Sequence, residues 1–191
     1  MMKQFKTLLG TTALCIALSG CVGVLVAGAA SSGAVISDAR SFKEIEKDAR
    51  ISHDVGIVIT RYKPLKTSHI VVSTFYQMVL LAGEVPEAKL KSLAEKLTLK
   101  VPGVRRVYNQ ITISPNSTLK DQALDAWLTT KVKSSMLTKS GLNSGGIKVI
   151  SEKGVVYLMG HLTNEQANLA VDVARRIDGV ERVVKLFKYQ D

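Results

Sequence analysis

The sequence predicts an α+β protein made of two tandem copies of one small domain, each a three-stranded mixed sheet with two helices on one face in the order α-β-β-α-β. Three observations carry this expectation. The chain repeats itself at an offset of 77 residues: Ile70-Val71-Val72 and Met78-Val79-Leu80-Leu81-Ala82-Gly83 align with Ile147-Lys148-Val149 and Val155-Val156-Tyr157-Leu158-Met159-Gly160. Asp48, Ile51, Val55 and Ile59 align in the same way with Asp125, Leu128, Val132 and Met136. Within each copy, stretches with helical apolar spacing alternate with short β-branched runs, and glycines punctuate the joins.

In chain order, residues 1–20 read as a signal peptide. Lys3 and Lys6 precede an uncharged, mostly apolar run from Thr7 to Leu18, followed by the small residues Ser19 and Gly20. That run is shorter than the ~20 residues of helix needed to cross a bilayer. Leu18-Ser19-Gly20-Cys21 resembles the bacterial lipobox. The resemblance implies a diacylglyceryl group on the Cys21 thiol, loss of residues 1–20, and an N-acyl chain on the new amino terminus. Cys15 leaves with the signal, so lipidation of Cys21 removes any prospect of a disulfide, a thiolate nucleophile or a cysteine-based zinc site. Several acyl chains anchor stably where one is marginal. Val22 stands where an aspartate would, by the enterobacterial sorting rule, favour the inner membrane; its presence points to the outer membrane and the periplasmic face. Residues 21–40 then comprise the lipidated cysteine and a tether, since Val22 to Ala30 is too short to span.

Residues 41–113 form the first domain, 114–119 a linker and 120–191 the second. Each first helix has an apolar stripe on one side. The hairpin strands that follow are separated by Phe75-Tyr76-Gln77 and by Glu152-Lys153-Gly154, with Gly83 and Gly160 ending the second strand at a bulge or close backbone approach. Tyr62-Lys63-Pro64-Leu65 makes an unusual loop after the first helix of copy one. Leu90, Leu93, Ala94, Leu97 and Val101 share a face of the second helix, which stops at Pro102-Gly103. In copy two, Thr163 and Gln166 have capping-box spacing, and Ala170, Val173, Ala174 and Ile177 form the buried face ahead of Gly179. Val104 to Ile113 and Val180 to Tyr189 supply the last strands, returning beside the hairpins.

This doubled unit resembles the BON domain of bacterial envelope proteins. A glycine closes its second strand and Gly-Val-x-x-Val opens its third, as in Gly103-Val104-Arg105-Arg106-Val107 and Gly179-Val180-Glu181-Arg182-Val183. Two such domains behind a lipobox are similar to the dual-BON outer-membrane lipoproteins. The resemblance implies a role in envelope integrity, enrichment at the division site, proximity to the β-barrel assembly complex, and contact with anionic phospholipid through the first helix of the second domain.

Few residues are arranged for catalysis. His53, His69 and His161 are scattered without metal-ligand spacing, and no nucleophile elbow or phosphate loop occurs, so they read as exposed or strand-edge histidines and the chain as no enzyme. Asp48 and Asp125 read as helix-start carboxylates complementing the dipole. Gly141 to Gly146 reads as a loop. Beyond the acyl chains on Cys21, no cofactor or metal is expected.

Charge and one helix point instead to a surface. Without Lys3 and Lys6, 24 basic and 16 acidic side chains leave a net charge of +8. Such a balance favours an anionic partner, and a periplasmic address makes that an acidic lipid rather than nucleic acid. On the helix around Trp127, a wheel puts Leu128, Val132 and Met136 inward. Trp127, Thr130, Lys131, Lys133, Ser134 and Leu137 then occupy the rest. Tryptophan favours the membrane interface and lysine can snorkel to headgroups, so these six are the candidate phospholipid contacts, with phosphatidylglycerol and cardiolipin as ligands. The family pattern adds Val132, which the wheel places inward. Two alternatives remain open at this level. Trp127 could pack against the other domain or the linker, or the helix could dock a protein, such as the barrel assembly complex or a regulator of peptidoglycan hydrolysis.

Overall fold

The computed structural model describes residues 40–190; the signal peptide, Cys21 and all of the tether but Arg40 lie outside them. The first helix, α1 (Phe42–Arg61), starts at a complete capping box: the Glu44 amide donates to the Ser41 hydroxyl, and the Ser41 amide donates to the Glu44 carboxylate. Its buried residues are Ile51, Val55 and Ile59, as the stripe predicts, and also Asp48. The unusual loop does not disturb this helix. Lys63–Leu65 forms one 3-10 turn with Pro64 at its start, and Leu65 enters the core.

β1 (His69–Phe75) pairs antiparallel with β2 (Met78–Val85), and β3 (Arg106–Ile113) lies parallel to β2 after the crossover through α2 (Ala88–Leu99). The second copy repeats this with α3 (Leu119–Leu137), β4 (Ile147–Glu152), β5 (Val155–Leu162), α4 (Asn164–Ala174) and β6 (Arg182–Tyr189). The sheet orders are β1-β2-β3 and β4-β5-β6.

Several local expectations are corrected. The hairpin connections hold two residues, not three, because Phe75 and Glu152 belong to their strands. Tyr76 and Gln77 have φ of 48° and 63°, and Lys153 and Gly154 have 46° and 71°, the left-handed pairs that suit a tight hairpin. Left-handed non-glycine residues are uncommon, and Asp48 and Asp125 are what hold them. Asp48 accepts from the Tyr76 and Gln77 amides, each at 2.8 Å, and Asp125 accepts from Lys153 and Gly154 at 2.8 and 3.2 Å. Both aspartates lie two turns inside their helices, so they clamp turns rather than complement dipoles. β2 and β5 run two residues beyond Gly83 and Gly160, and α2 ends at Leu99, leaving Val101 buried just past it. The Thr163 hydroxyl caps α4, but the Gln166 side chain donates to Gly141 O and accepts from Asn143 N, so the box is only half made.

Each helix pair covers one sheet face, with Val79, Leu81 and Val85 under α1 and α2, and Val156, Leu158 and Leu162 under α3 and α4. The alternate residues do not face water. Phe75, Met78, Leu80 and Ala82 pack against Tyr157, Met159 and Leu186, so the sheets meet face to face with the helices outside. That explains why β2 is buried along its whole length.

The two ends of this seam differ although the repeat makes them equivalent. At one, Tyr76 meets His161 edge-on with ring centroids 5.7 Å apart. At the other the aligned residues are Lys153 and Glu84, whose charged atoms lie 3.3 Å apart without hydrogen-bond alignment. Here the linker closes over the seam. The Ser117 amide and hydroxyl both reach Glu84 Oε2 at 2.9 Å, and the hydroxyl also lies 3.1 Å from Glu152 Oε1. A hydroxyl has one proton, so it cannot donate to two carboxylates. The arrangement is satisfied when Ser117 donates to Glu84 while a neutral Glu152 donates to Ser117 and accepts from His69 Nε2 at 3.2 Å.

Burial raises the Glu152 carboxyl above its ordinary 4.5; the charge of His69 opposes, while those of Glu84 and Asp125 push the same way as burial. The folded state therefore holds this proton more tightly than the unfolded chain. Its contribution is full below pH 4.5 and is lost as pH rises through the raised value. Glu152→Gln copies the neutral acid, donating to Ser117 and accepting from His69. Urea unfolding across a pH series should give the wild type a decline above pH 4.5 that the variant lacks; superimposable profiles would dismiss the shared proton.

Candidate functional site

The candidate site is the outer surface of α3. Thr118 caps it through a box with Asp121, and Leu128, Val132 and Met136 seat it on the second sheet. Val132 is fully buried, as the wheel requires, so it cannot touch a ligand from outside. Trp127, Thr130, Lys131, Lys133, Ser134 and Leu137 are all exposed. Trp127 is 51% accessible, so it packs only in part and is not taken up by the other domain or the linker. Lys131 Nζ sits 5.1 Å from the centroid of its ring, a cation-π contact one helical turn away.

Three of the six lie on one or other flank of the helix. Lys133 and Leu137 line an opening of about 330 Å³ toward the seam, with Arg40, Phe75 and Lys148. Trp127 lines a groove of about 380 Å³ on the other side with Leu124, Leu128, Gly154 and Gly179. Asp121, Lys153 and Glu181 border that groove, so its rim carries charges of both signs.

Sequence reasoning missed Leu119 and Leu124, which are 84% and 54% exposed, and the exposed Lys120. Their signal was available. Leu124 stands three residues before Trp127 and Lys131 four after it, which puts all three on one strip. The aligned strip on α1 is different: Arg50 replaces Trp127 and bonds Glu46 at 2.8 Å, in an exposed ion pair. So at this position α1 shows water a charged pair where α3 shows Trp127, although Phe42, aligned with Leu119, is 80% exposed on α1 as well.

The three histidines are dispersed among the described residues. His53 is exposed, His69 is engaged with Glu152, and His161 with Tyr76. Among the described residues no group of three or more His, Cys, Asp or Glu is placed to hold a metal ion, and no helix is long and apolar enough to cross a membrane.

The BON domain family matches residues 47–115 and 124–191. The chain is 38% identical, over all of its length and 97% of the relative's, to the outer membrane lipoprotein DolP of Haemophilus influenzae. It is 31% identical to the 21 kDa hemolysin of Actinobacillus pleuropneumoniae, covering 76% of this chain and 68% of that one. To the osmotically-inducible protein Y of Escherichia coli it is 27% identical, covering 71% and 69%. With both sheets, both helix pairs and both turn-clamping aspartates duplicated inside the matched segments, the chain belongs to the BON-domain family and is a dual-BON protein of the DolP type.

Proposed function

We propose that the protein is a non-enzymatic outer-membrane lipoprotein, held through acyl chains on Cys21, that uses α3 of its second domain to bind anionic phospholipid such as phosphatidylglycerol or cardiolipin. The observation that carries this reading is the half-exposed Trp127 beside Lys131 on a helix whose inward face is already satisfied by Leu128, Val132 and Met136. An exposed tryptophan flanked by Leu119, Leu124 and Leu137 suits the headgroup boundary, and Lys120, Lys131 and Lys133 suit its charge. A lipid tether and a modest headgroup contact on one chain reinforce each other without either being tight. The name of the Haemophilus relative supports the outer-membrane address, and the family resemblance supports a role in envelope integrity, including at the division site.

The test is flotation of the unlipidated chain, residues 22–191, with vesicles of phosphatidylcholine with or without phosphatidylglycerol. Binding should require the anionic lipid and fall with added salt. Trp127→Glu should weaken it by roughly tenfold or more, since a carboxylate replaces the interfacial anchor. The second reading, a docking helix for the barrel assembly complex or a peptidoglycan hydrolase regulator, is favoured by the same exposed Trp, a residue type common at protein interfaces. It wins if Trp127→Glu leaves vesicle binding intact but abolishes a protein complex.

A further inference from the structure

At the seam end away from the linker, the edges of β3 and β6 border an open cleft of about 790 Å³. Tyr108, Phe187 and the buried Met78 line it, and Arg105, Arg106 and Lys188 stand exposed around it. Among the described residues none of these three cations has an acidic partner, and Arg106 reaches only the Tyr108 hydroxyl at 3.4 Å. The single carboxylate lining the cleft, Glu44, is occupied by the cap of α1. At the equivalent end the linker lies over the seam: Ser117 bonds Glu84, and Lys153 Nζ donates to Pro115 O at 3.0 Å.

We propose that this cleft is a docking site for an extended acidic segment of a partner protein. Charge complementarity asks for an anion, since three uncompensated cations converge on one concavity. The strand edges decide its kind. β3 and β6 each end a sheet, so the outward row of backbone donors and acceptors on either one can pair with an added strand. Carboxylates on alternate residues of such a strand would project to one side, the side of Arg106 and Lys188, and its small apolar residues would face the other, the side of Phe187. A lipid headgroup uses the cations but has no use for a backbone ladder. The site is separate from α3 and does not depend on the phospholipid reading.

The experiment uses the mature, acylated chain in detergent micelles and a fluorescein-labelled peptide, Glu-Thr-Glu-Val-Glu-Thr-Glu-Val. Anisotropy should report saturable binding that weakens with salt, and saturation should slow amide exchange in β3 or β6. The lysine counterpart, Lys-Thr-Lys-Val-Lys-Thr-Lys-Val, should not bind. Arg105→Glu/Arg106→Glu/Lys188→Glu should lose at least about tenfold in affinity, with Arg105→Gln/Arg106→Gln/Lys188→Gln between it and the wild type. Trp127→Glu should bind the peptide like the wild type. Equal binding of both peptides, unchanged affinity in the charge variants, or unaltered exchange at both edges overturns the proposal. So does a charge variant that loses binding to phosphatidylglycerol vesicles and keeps the peptide, because the cations would then serve lipid.

Discussion

Gly83→Ala is expected to unfold the first domain. Gly83 has φ of +118°, and a Cβ there would lie 2.1 Å from the His69 carbonyl oxygen, 3.0 Å from its carbonyl carbon and 3.2 Å from Ile70 Cα. All three are backbone atoms of β1, the strand that β2 must pair with, so no side-chain rotation relieves the overlap. The conformation alone costs ~1–3 kcal/mol for a residue with a Cβ, and the clash adds the loss of local pairing between β1 and β2. A domain of this size has only ~5–15 kcal/mol in hand. Gly160, its counterpart, is a control. A Cβ there would meet Leu162 Cγ at 3.0 Å and Gly146 O at 3.1 Å, at an ordinary φ, so Leu162 can yield. Gly160→Ala should cost ~1–3 kcal/mol, the usual toll of overpacking. Thermal unfolding followed by circular dichroism, with hydrogen exchange to locate the damage, should put the loss of protection in β1 and β2 for Gly83→Ala. Equal losses in the two variants would mean that the close backbone approach is not the cause.

The second large effect belongs to Asp48. Asp48→Ala strips the Tyr76 and Gln77 amides of their acceptor and also removes the carboxylate paired with Arg40, whose side chain is only 7% accessible and lies 4.3 Å from the centroid of the Phe75 ring. Breaking a buried ion pair from one side costs ~3–5 kcal/mol. Asp125→Ala strips the same two turn amides, but no basic residue is ion-paired to Asp125 among the described residues, so ~1–3 kcal/mol is expected from the unpaired groups. Urea midpoints should therefore rank Asp48→Ala below Asp125→Ala. Arg40→Ala should remove most of the difference in a double-mutant cycle; if the two aspartate variants are equally weakened, Arg40 contributes nothing to the clamp.

The order of elements was legible because helical stripes and β-branched runs are set by local spacing, and the repeat let each copy check the other. Asp48 and Asp125 were legible as aligned positions but not as turn clamps, since the amides they bind lie 28 or 29 residues away. The three-residue hairpin connection failed for a related reason: nothing in Tyr76-Gln77 announces left-handed backbone, which an aspartate on another element holds in place. On α3, the outward Trp127 could be read from the wheel because Leu128, Val132 and Met136 fix the opposite face. The cleft and the Glu84–Ser117–Glu152 chain could not be read, because both exist only where one sheet meets the other.

That meeting of sheets has a consequence for how the gene can be cut. Either half of the chain, expressed alone, would be born with a sticky back: Met78, Leu80 and Ala82 in one case, Tyr157, Met159 and Leu186 in the other. A lone copy must therefore find another molecule to cover that surface or precipitate. The tandem arrangement is a dimer made obligatory by covalent linkage, and the boundary between its repeats is no place to divide it.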